Sequence, residues 1–262
     1  MQLSASISFM FQEVPLLARF EAARAAGFAG VEIQRLAEGE PDEMARAARE
    51  ARVTVVLANV SAADYLSGGD GLSGVPGRED DFREAFECAL DAATTLGARH
   101  LHLAPSRIPA GATRDECLRT YLSNIRTALS ISRADGTPLL IEAMNRVEAP
   151  MALLADVPSA VEVLKTIGSA RLGLQFDLYH ATMNGDDPLA TYLRHSALVR
   201  HIQFADVPGR HEPGTGRLDI TMLLQEIERS GYAGWFGAEY NPRETTTASL
   251  AWLGALHARG RA

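Results

Sequence analysis

Short apolar runs alternate with longer amphipathic stretches along nearly the whole chain. The short runs predict strands near Leu3–Phe9, Gly30–Gln34, Thr54–Asn59, His100–Leu103, Pro138–Glu142, Leu172–Asp177, Val199–Gln203 and Trp235–Glu239. The stretches between them predict helices over Val14–Ala26, Pro41–Ala51, Glu79–Leu96, Arg114–Ala134, Val157–Ile167, Pro188–His195 and Ile220–Ser230, with a last one over Thr245–His257. In Glu79–Leu96, Phe82, Phe86, Ala89, Leu90 and Ala93 fall on one face at helical spacing.

Strands alternating with helices imply a parallel sheet. Eight such units in about 250 residues predict an α/β fold, one closed (β/α)8 TIM barrel, with residues 1–262 as a single domain. An open doubly wound sheet is the alternative, and it usually carries Gly-x-Gly-x-x-Gly after its first strand. Here that strand runs into Met10-Phe11-Gln12-Glu13 without a glycine, which favours the barrel.

Loop lengths agree. Gly27, Gly97, Gly136, Gly168 and Gly231 stand where a glycine would close a helix before a tight return to the sheet. The connections after strands are longer, above all Val60–Arg78 and Phe204–Asp219. The long loops therefore gather at the C-terminal face, where barrel enzymes carry their sites.

Composition narrows the function. The formal net charge is -8 and no Lys/Arg run appears, so nucleic acid is not an expected partner. Lys165 is the only lysine and lies in a predicted helix. That argues against Schiff-base catalysis and excludes a Gly-Lys-Ser/Thr phosphate loop. Cys88 and Cys117 form no Cys-x-x-Cys pair and read as buried free thiols. There is no signal-peptide pattern and no apolar stretch of about 18 residues, so no membrane partner is expected and the cytoplasm is the default location. A homo-oligomer is compatible with the sequence, as is a monomer.

Four polar residues stand where predicted strands end: Glu142, Asp177, Gln203 and Glu239. Their spacing is about one strand–helix–strand unit, roughly 30 residues, so four successive strands deliver an oxygen to the same end. Each alone could simply cap the following helix. Three carboxylates meeting at ~4.5 Å would repel by roughly 4 kcal/mol per pair at an effective dielectric near 20. A divalent cation or a raised pKa removes that cost, and an all-oxygen set suits Mg2+ or Mn2+ better than Zn2+. His180, three residues after Asp177, could hydrogen-bond a substrate oxygen or simply its own backbone. Arg210, in the turn-rich Pro208–Gly216 loop, could grip a carboxylate bidentately or point to solvent. Arg146 and Glu148 follow Glu142 as site or surface charges. His100 and His102 lie along strand four, where only one is expected to point inward. His102, nearer the C-terminal end, is a weaker site candidate.

The runs Ile141-Glu142-Ala143-Met144-Asn145, Gln175-Phe176-Asp177-Leu178-Tyr179-His180, His201-Ile202-Gln203, Gly209–Gly216 and Glu239-Tyr240-Asn241-Pro242-Arg243 resemble the hydroxypyruvate isomerase family. So do Ser8–Phe11 through Val31-Glu32, and Gly71–Glu79. That family is related to the tagatose epimerases and endonuclease IV. The resemblance implies Glu142 and Glu239 as acid/base pair and metal ligands, Asp177 and Gln203 as further ligands, and His180 and Arg210 on the substrate. It implies an aldose–ketose type isomerisation of a small hydroxy-keto acid, hydroxypyruvate to tartronate semialdehyde, through a metal-stabilised enediolate. A 2-oxo-tetronate isomerase or a ketose 3-epimerase is the nearest alternative, and a non-catalytic binding barrel is one of another class. The epimerases usually have His where Gln203 stands, which favours the isomerase branch. The isomerases often have Lys where Asn241 stands, which bears on specificity if that lysine touches substrate.

Overall fold

The computed structural model describes residues 1–132 and 136–259. Polar caps open several of its α-helices, and glycines close two. Thr113 and Glu116 form a reciprocal capping box at one helix start. Asp156, Asp187 and Asp219 accept backbone N–H groups at three others. Gly97 and Gly168 close helices in the left-handed conformation that costs glycine nothing.

Eight strands result: β1 Gln2–Ser6, β2 Gly30–Ile33, β3 Thr54–Asn59, β4 His100–His102, β5 Leu139–Glu142, β6 Leu172–Asp177, β7 Val199–Phe204 and β8 Trp235–Ala238. All neighbours pair in parallel in chain order, and β8 returns to β1, so the sheet is a closed barrel. Around it run α1 Ala18–Ala25, α2 Pro41–Ala51, α3 Glu79–Leu96, α4 Arg114–Ile131, α5 Val157–Ile167, α6 Leu178–Met183, α7 Pro188–His195, α8 Ile220–Arg229 and α9 Ala251–Arg259. The main core lies between strands and helices. α3 buries Phe82, Phe86, Ala89 and Ala93 there, as its pattern predicts. A fully buried Phe contributes roughly 1.5–3 kcal/mol.

Several boundaries differ from the sequence expectation. β1 ends at Ser6, because Phe9 and Met10 turn back to donate to the Ser6 carbonyl. The first helix starts at Ala18, after isolated turns that hold Val14 and Pro15. The last helix starts at Ala251, after a 3₁₀ turn at Ala248–Leu250. α4 ends at Ile131 with Ser132 as its cap, so Gly136 does not close it; the expected end, Ala134, lies outside the described residues. Cys88 is exposed rather than buried, while Cys117 is buried; both are free thiols. Among the described residues, no helix is long and apolar enough to cross a membrane.

The barrel interior is polar. Barrels of this kind usually fill that space with branched aliphatic residues. Here Ser4, Glu32, Gln175, His201 and Gln203 are buried and bonded to one another. His100 and His102 both belong inside, contrary to the expectation that only one would. Residues two apart on a strand share a face. The His100 ring lies 6.1 Å from that of interior His201, and His102 approaches Glu142.

Candidate active site

β5, β6 and β8 deliver Glu142, Asp177 and Glu239 to the C-terminal mouth, all buried. Asp177 does two jobs. One oxygen, Oδ1, caps α6 by accepting the Tyr179 N–H at 2.8 Å. The other, Oδ2, lies 3.6 Å from His180 Nε2 and 3.5 Å from Arg210 Nη2. Arg210 also donates to Glu239 Oε2, so one guanidinium bridges two of the carboxylates. Its Cζ lies 5.3 Å from the centre of the Tyr179 ring and 5.7 Å from that of Phe9.

The loop between β7 and α8 is built to hold Arg210 there. The Asp206 carboxylate accepts backbone N–H groups from Val207, Gly214, Gly216 and Leu218 at 2.8–3.0 Å. Gly216 is required in that cradle, since a Cβ would meet the Val207 carbonyl oxygen at 2.3 Å. Arg210 takes a left-handed backbone, φ 54°, and its carbonyl accepts from the Asn241 N–H at 2.8 Å. Asn241, which stands where the isomerases often have lysine, thus helps to fix the arginine through its main chain.

His180 is fixed by a residue the sequence reading passed over. Asn145 Oδ1 accepts the Val147 and Glu148 N–H groups, so its Nδ2 must face the other way. There it donates to His180 Nδ1 at 2.7 Å and to Glu148 Oε2 at 3.0 Å. With Nδ1 accepting, the ring hydrogen sits on Nε2, which points at Glu142 and Asp177. Burial pushes the His180 pKa well below its usual value, so the ring is neutral. Glu148 belongs to the same network, because its Oε1 accepts the Tyr179 hydroxyl. Arg146 instead pairs with Asp156 on an exposed edge. His102 Nε2 stands 3.6 Å from Glu142 Oε2, too far for a hydrogen bond, and burial lowers its pKa to about 3.

Charge accumulates at the mouth. Burial raises the Glu142 pKa well above the ordinary carboxylate range, and repulsion from Asp177 and Glu239 adds to it. Burial also raises Asp177 to about 6 and Glu239 to about 7, although Arg210 pulls both down. The Arg210 pKa rises despite burial, because Glu239 and Asp177 hold its charge.

Glu142, Asp177 and His180 offer ligand atoms within 4.8 Å of one another, so the mouth could hold a metal. Glu142 Oε1 and His180 Nε2 are buried there without a hydrogen-bond partner, the state of atoms waiting for a ligand. Because His180 Nε2 carries hydrogen, it fits a donor better than a ligand. Gln203 stands beside Asp177 in the β6–β7 pairing, with its amide bonded inside the barrel. Its Nε2 donates to Glu32 and its Oε1 accepts from Gln175, both at 2.7 Å. An amide oxygen has two lone pairs, so one remains for a cation.

Glu32 is the second residue missed. The signal was a lone charge inside the short apolar strand Gly30–Ile33.

The profile of the family described as xylose isomerase-like TIM barrel matches residues 20–256. A 2-oxo-tetronate isomerase from Cupriavidus necator is 38% identical over 95% of this chain and 96% of its own. A hydroxypyruvate isomerase from Escherichia coli is 32% identical over 97% and 98%. A crystal structure titled AP endonuclease, family 2, from Brucella melitensis superposes with a TM-score of 0.91, at 36% identity over 97% of this chain and 98% of that one. The E. coli 3-keto-D-glucoside 4-epimerase, at 20% identity and TM-score 0.81, shares the fold. The chain therefore belongs to the xylose isomerase-like TIM barrel family, in its hydroxypyruvate isomerase branch, and is an isomerase.

Proposed function

We propose that this isomerase moves a carbonyl between adjacent carbons of a small hydroxy-keto acid, with Glu142 and Glu239 as the proton-transfer pair. Hydroxypyruvate is the first candidate substrate and 2-oxo-tetronate the second, after the relatives named for them. One observation carries the reading. Among the described residues, three buried carboxylates share the mouth with one guanidinium, that of Arg210, an excess of negative charge that calls for a cation or for protons.

With hydroxypyruvate, one glutamate removes a proton from the hydroxymethyl carbon, leaving an enediolate. The other delivers a proton to the former carbonyl carbon, while the hydroxyl proton passes between the two oxygens. The product is tartronate semialdehyde, and atoms balance without any co-reactant. Acid and base need different proton loads at one pH. Glu239, held against Arg210, and Glu142, beside neutral His102 and His180, have the environments to differ. On this reading His180 Nε2–H donates to a substrate oxygen. Arg210 keeps a buried Nε–H without a partner, free to take the substrate carboxylate. Glu148 accepts from Asn145 and Tyr179 and lines the same wall.

Glu142, Asp177, Gln203 and Glu239 would hold a divalent cation, Mg2+ or Mn2+ on the oxygen-only donor set. Bound there, it would supply positive charge against the oxyanion that develops during proton transfer.

The partner on this reading is a small anion, not nucleic acid. The net charge of -8 opposes a phosphate backbone, so abasic-site cleavage is not proposed for this chain. The test is proton NMR in D2O with hydroxypyruvate, then 2-oxo-tetronate, with Mg2+ or Mn2+ and after chelation. Solvent deuterium should enter the substrate only with metal present. Glu142→Gln and Glu239→Gln should each lower kcat by roughly 10²–10⁴-fold with circular dichroism unchanged. Full activity in both variants would end the scheme, and tight binding without deuterium exchange would mark a binding barrel.

A further inference from the structure

We propose that Glu32 is a positioning residue that fixes which atom of the Gln203 amide faces the mouth. The inference rests on the reading of Gln203 as a ligand.

Glu32 is fully buried inside the barrel, two strands from the nearest acid of the mouth in the β8–β1–β2 order. Its Oε1 accepts Ser4 Oγ at 2.7 Å and bonds His201 Nε2 at 2.8 Å. Its Oε2 accepts Gln203 Nε2 at 2.7 Å and Gln34 Nε2 at 3.3 Å. Neighbouring strands are shaped around it. A Cβ on Gly237 would sit 1.9 Å from Glu32 Oε1, so β8 leaves that space open. The β2–β3 register shifts between Val31 and Glu32.

An amide can turn over at little steric cost, exchanging its oxygen for its NH2 group. A carboxylate ringed by donors can only accept. Gln203 must therefore give Glu32 its Nε2, and its Oε1 is turned away from Glu32. That oxygen meets Gln175 Nε2 at 2.7 Å, on the strand that carries Asp177. Gln175 in turn stands opposite Glu142 in the β5–β6 pairing. Without Glu32, the amide at 203 could present hydrogens where the site needs an oxygen. Such supporting contacts typically tune metal affinity 10–100-fold.

The test is Glu32→Gln, nearly the same shape but able to donate as well as accept. Mn2+ binding is read from the free-ion EPR signal, without substrate. The variant should bind Mn2+ about 10–100-fold more weakly while folding normally. In a Gln203→Ala background, Glu32→Gln should change binding by less than about 2-fold, since its partner is gone. Native-like binding by Glu32→Gln, or the same loss in both backgrounds, would overturn the inference and leave the proposed function standing. Native protein that binds no Mn2+ would instead remove the reading of the site, and the inference with it. If Glu32→Gln does not fold, a crystal structure of native protein with Mn2+ decides. Gln203 Oε1 on the ion with Nε2 still on Glu32 supports the inference; Nε2 turned away from Glu32 overturns it.

Discussion

The tautomer of His180 is set by one side chain beside it, Asn145. Asn145 cannot turn over, because two backbone N–H groups already hold its oxygen. His180 must then accept at Nδ1 and donate at Nε2. In Asn145→Asp the side chain has no hydrogen to give, so the His180 hydrogen should move to Nδ1. Imidazole 15N shifts would show the change of tautomer. Loss of the Nε2 donor, worth about 1–3 kcal/mol, should lower kcat/KM by roughly 10–100-fold. An unchanged tautomer in that variant would mean that Asn145 does not control His180. Nothing in the sequence separates this asparagine from an ordinary turn residue after a strand. Only its burial and its four contacts mark it. Asp177 teaches the converse: the choice between a helix cap and a site acid was no choice, since its two oxygens divide the roles.

At the scale of elements, the β7–α8 loop turns one buried carboxylate into a rigid support. Asp206→Ala would strand several backbone N–H groups of Val207–Leu218. At about 1–3 kcal/mol per unsatisfied buried group, with partial relaxation, a loss of about 3 kcal/mol is expected. For a chain of this size that corresponds to a fall in Tm of roughly 6–12 °C. Arg210 should lose its place at the same time, so KM should rise more than kcat falls. Scanning calorimetry with steady-state kinetics would show both effects; a lower Tm with native KM would mean that the loop does not position Arg210. The pattern of apolar runs made the strands legible because a parallel barrel strand is buried on its outer face throughout. Boundaries were less legible where local turns compete with helix, as before Ala18 and Ala251. Helix α6 escaped because six residues cannot display a period of 3.6. The polar barrel interior escaped because Glu32, His201 and Gln175 look like interruptions of their strands until the ring closes.

The molecule as a whole couples its fold to the charge it gathers at one end. Chain order alone brought Glu142, Asp177 and Glu239 to a common mouth, which is why spacing could find them. How each is neutralised depends on contacts across the barrel that spacing cannot show. The folded state raises the pKa of Asp177 to about 6 and of Glu239 to about 7, and that of Glu142 further, chiefly through burial. A carboxylate with a raised folded pKa holds more protons folded than unfolded between about pH 4 and its folded value. Its contribution to stability is full below the unfolded pKa and is lost as pH rises through the folded one. Glu32 works in the opposite sense. It is held below its usual range against the cost of burial by His201 and other donors, so its contribution is lost as pH falls. Chelated protein should therefore lose stability from pH 5 to pH 8, on the order of a few kcal/mol. A divalent cation bound at the mouth, as proposed, would replace the missing protons, and protons would compete with it for the same oxygens. The rise in Tm on adding Mn2+ should thus be larger at pH 8 than at pH 5. Melting curves with Mn2+ and with chelator at both values test this. A rise that is equal at the two, or larger at pH 5, would mean that the mouth carboxylates are not where the cation binds.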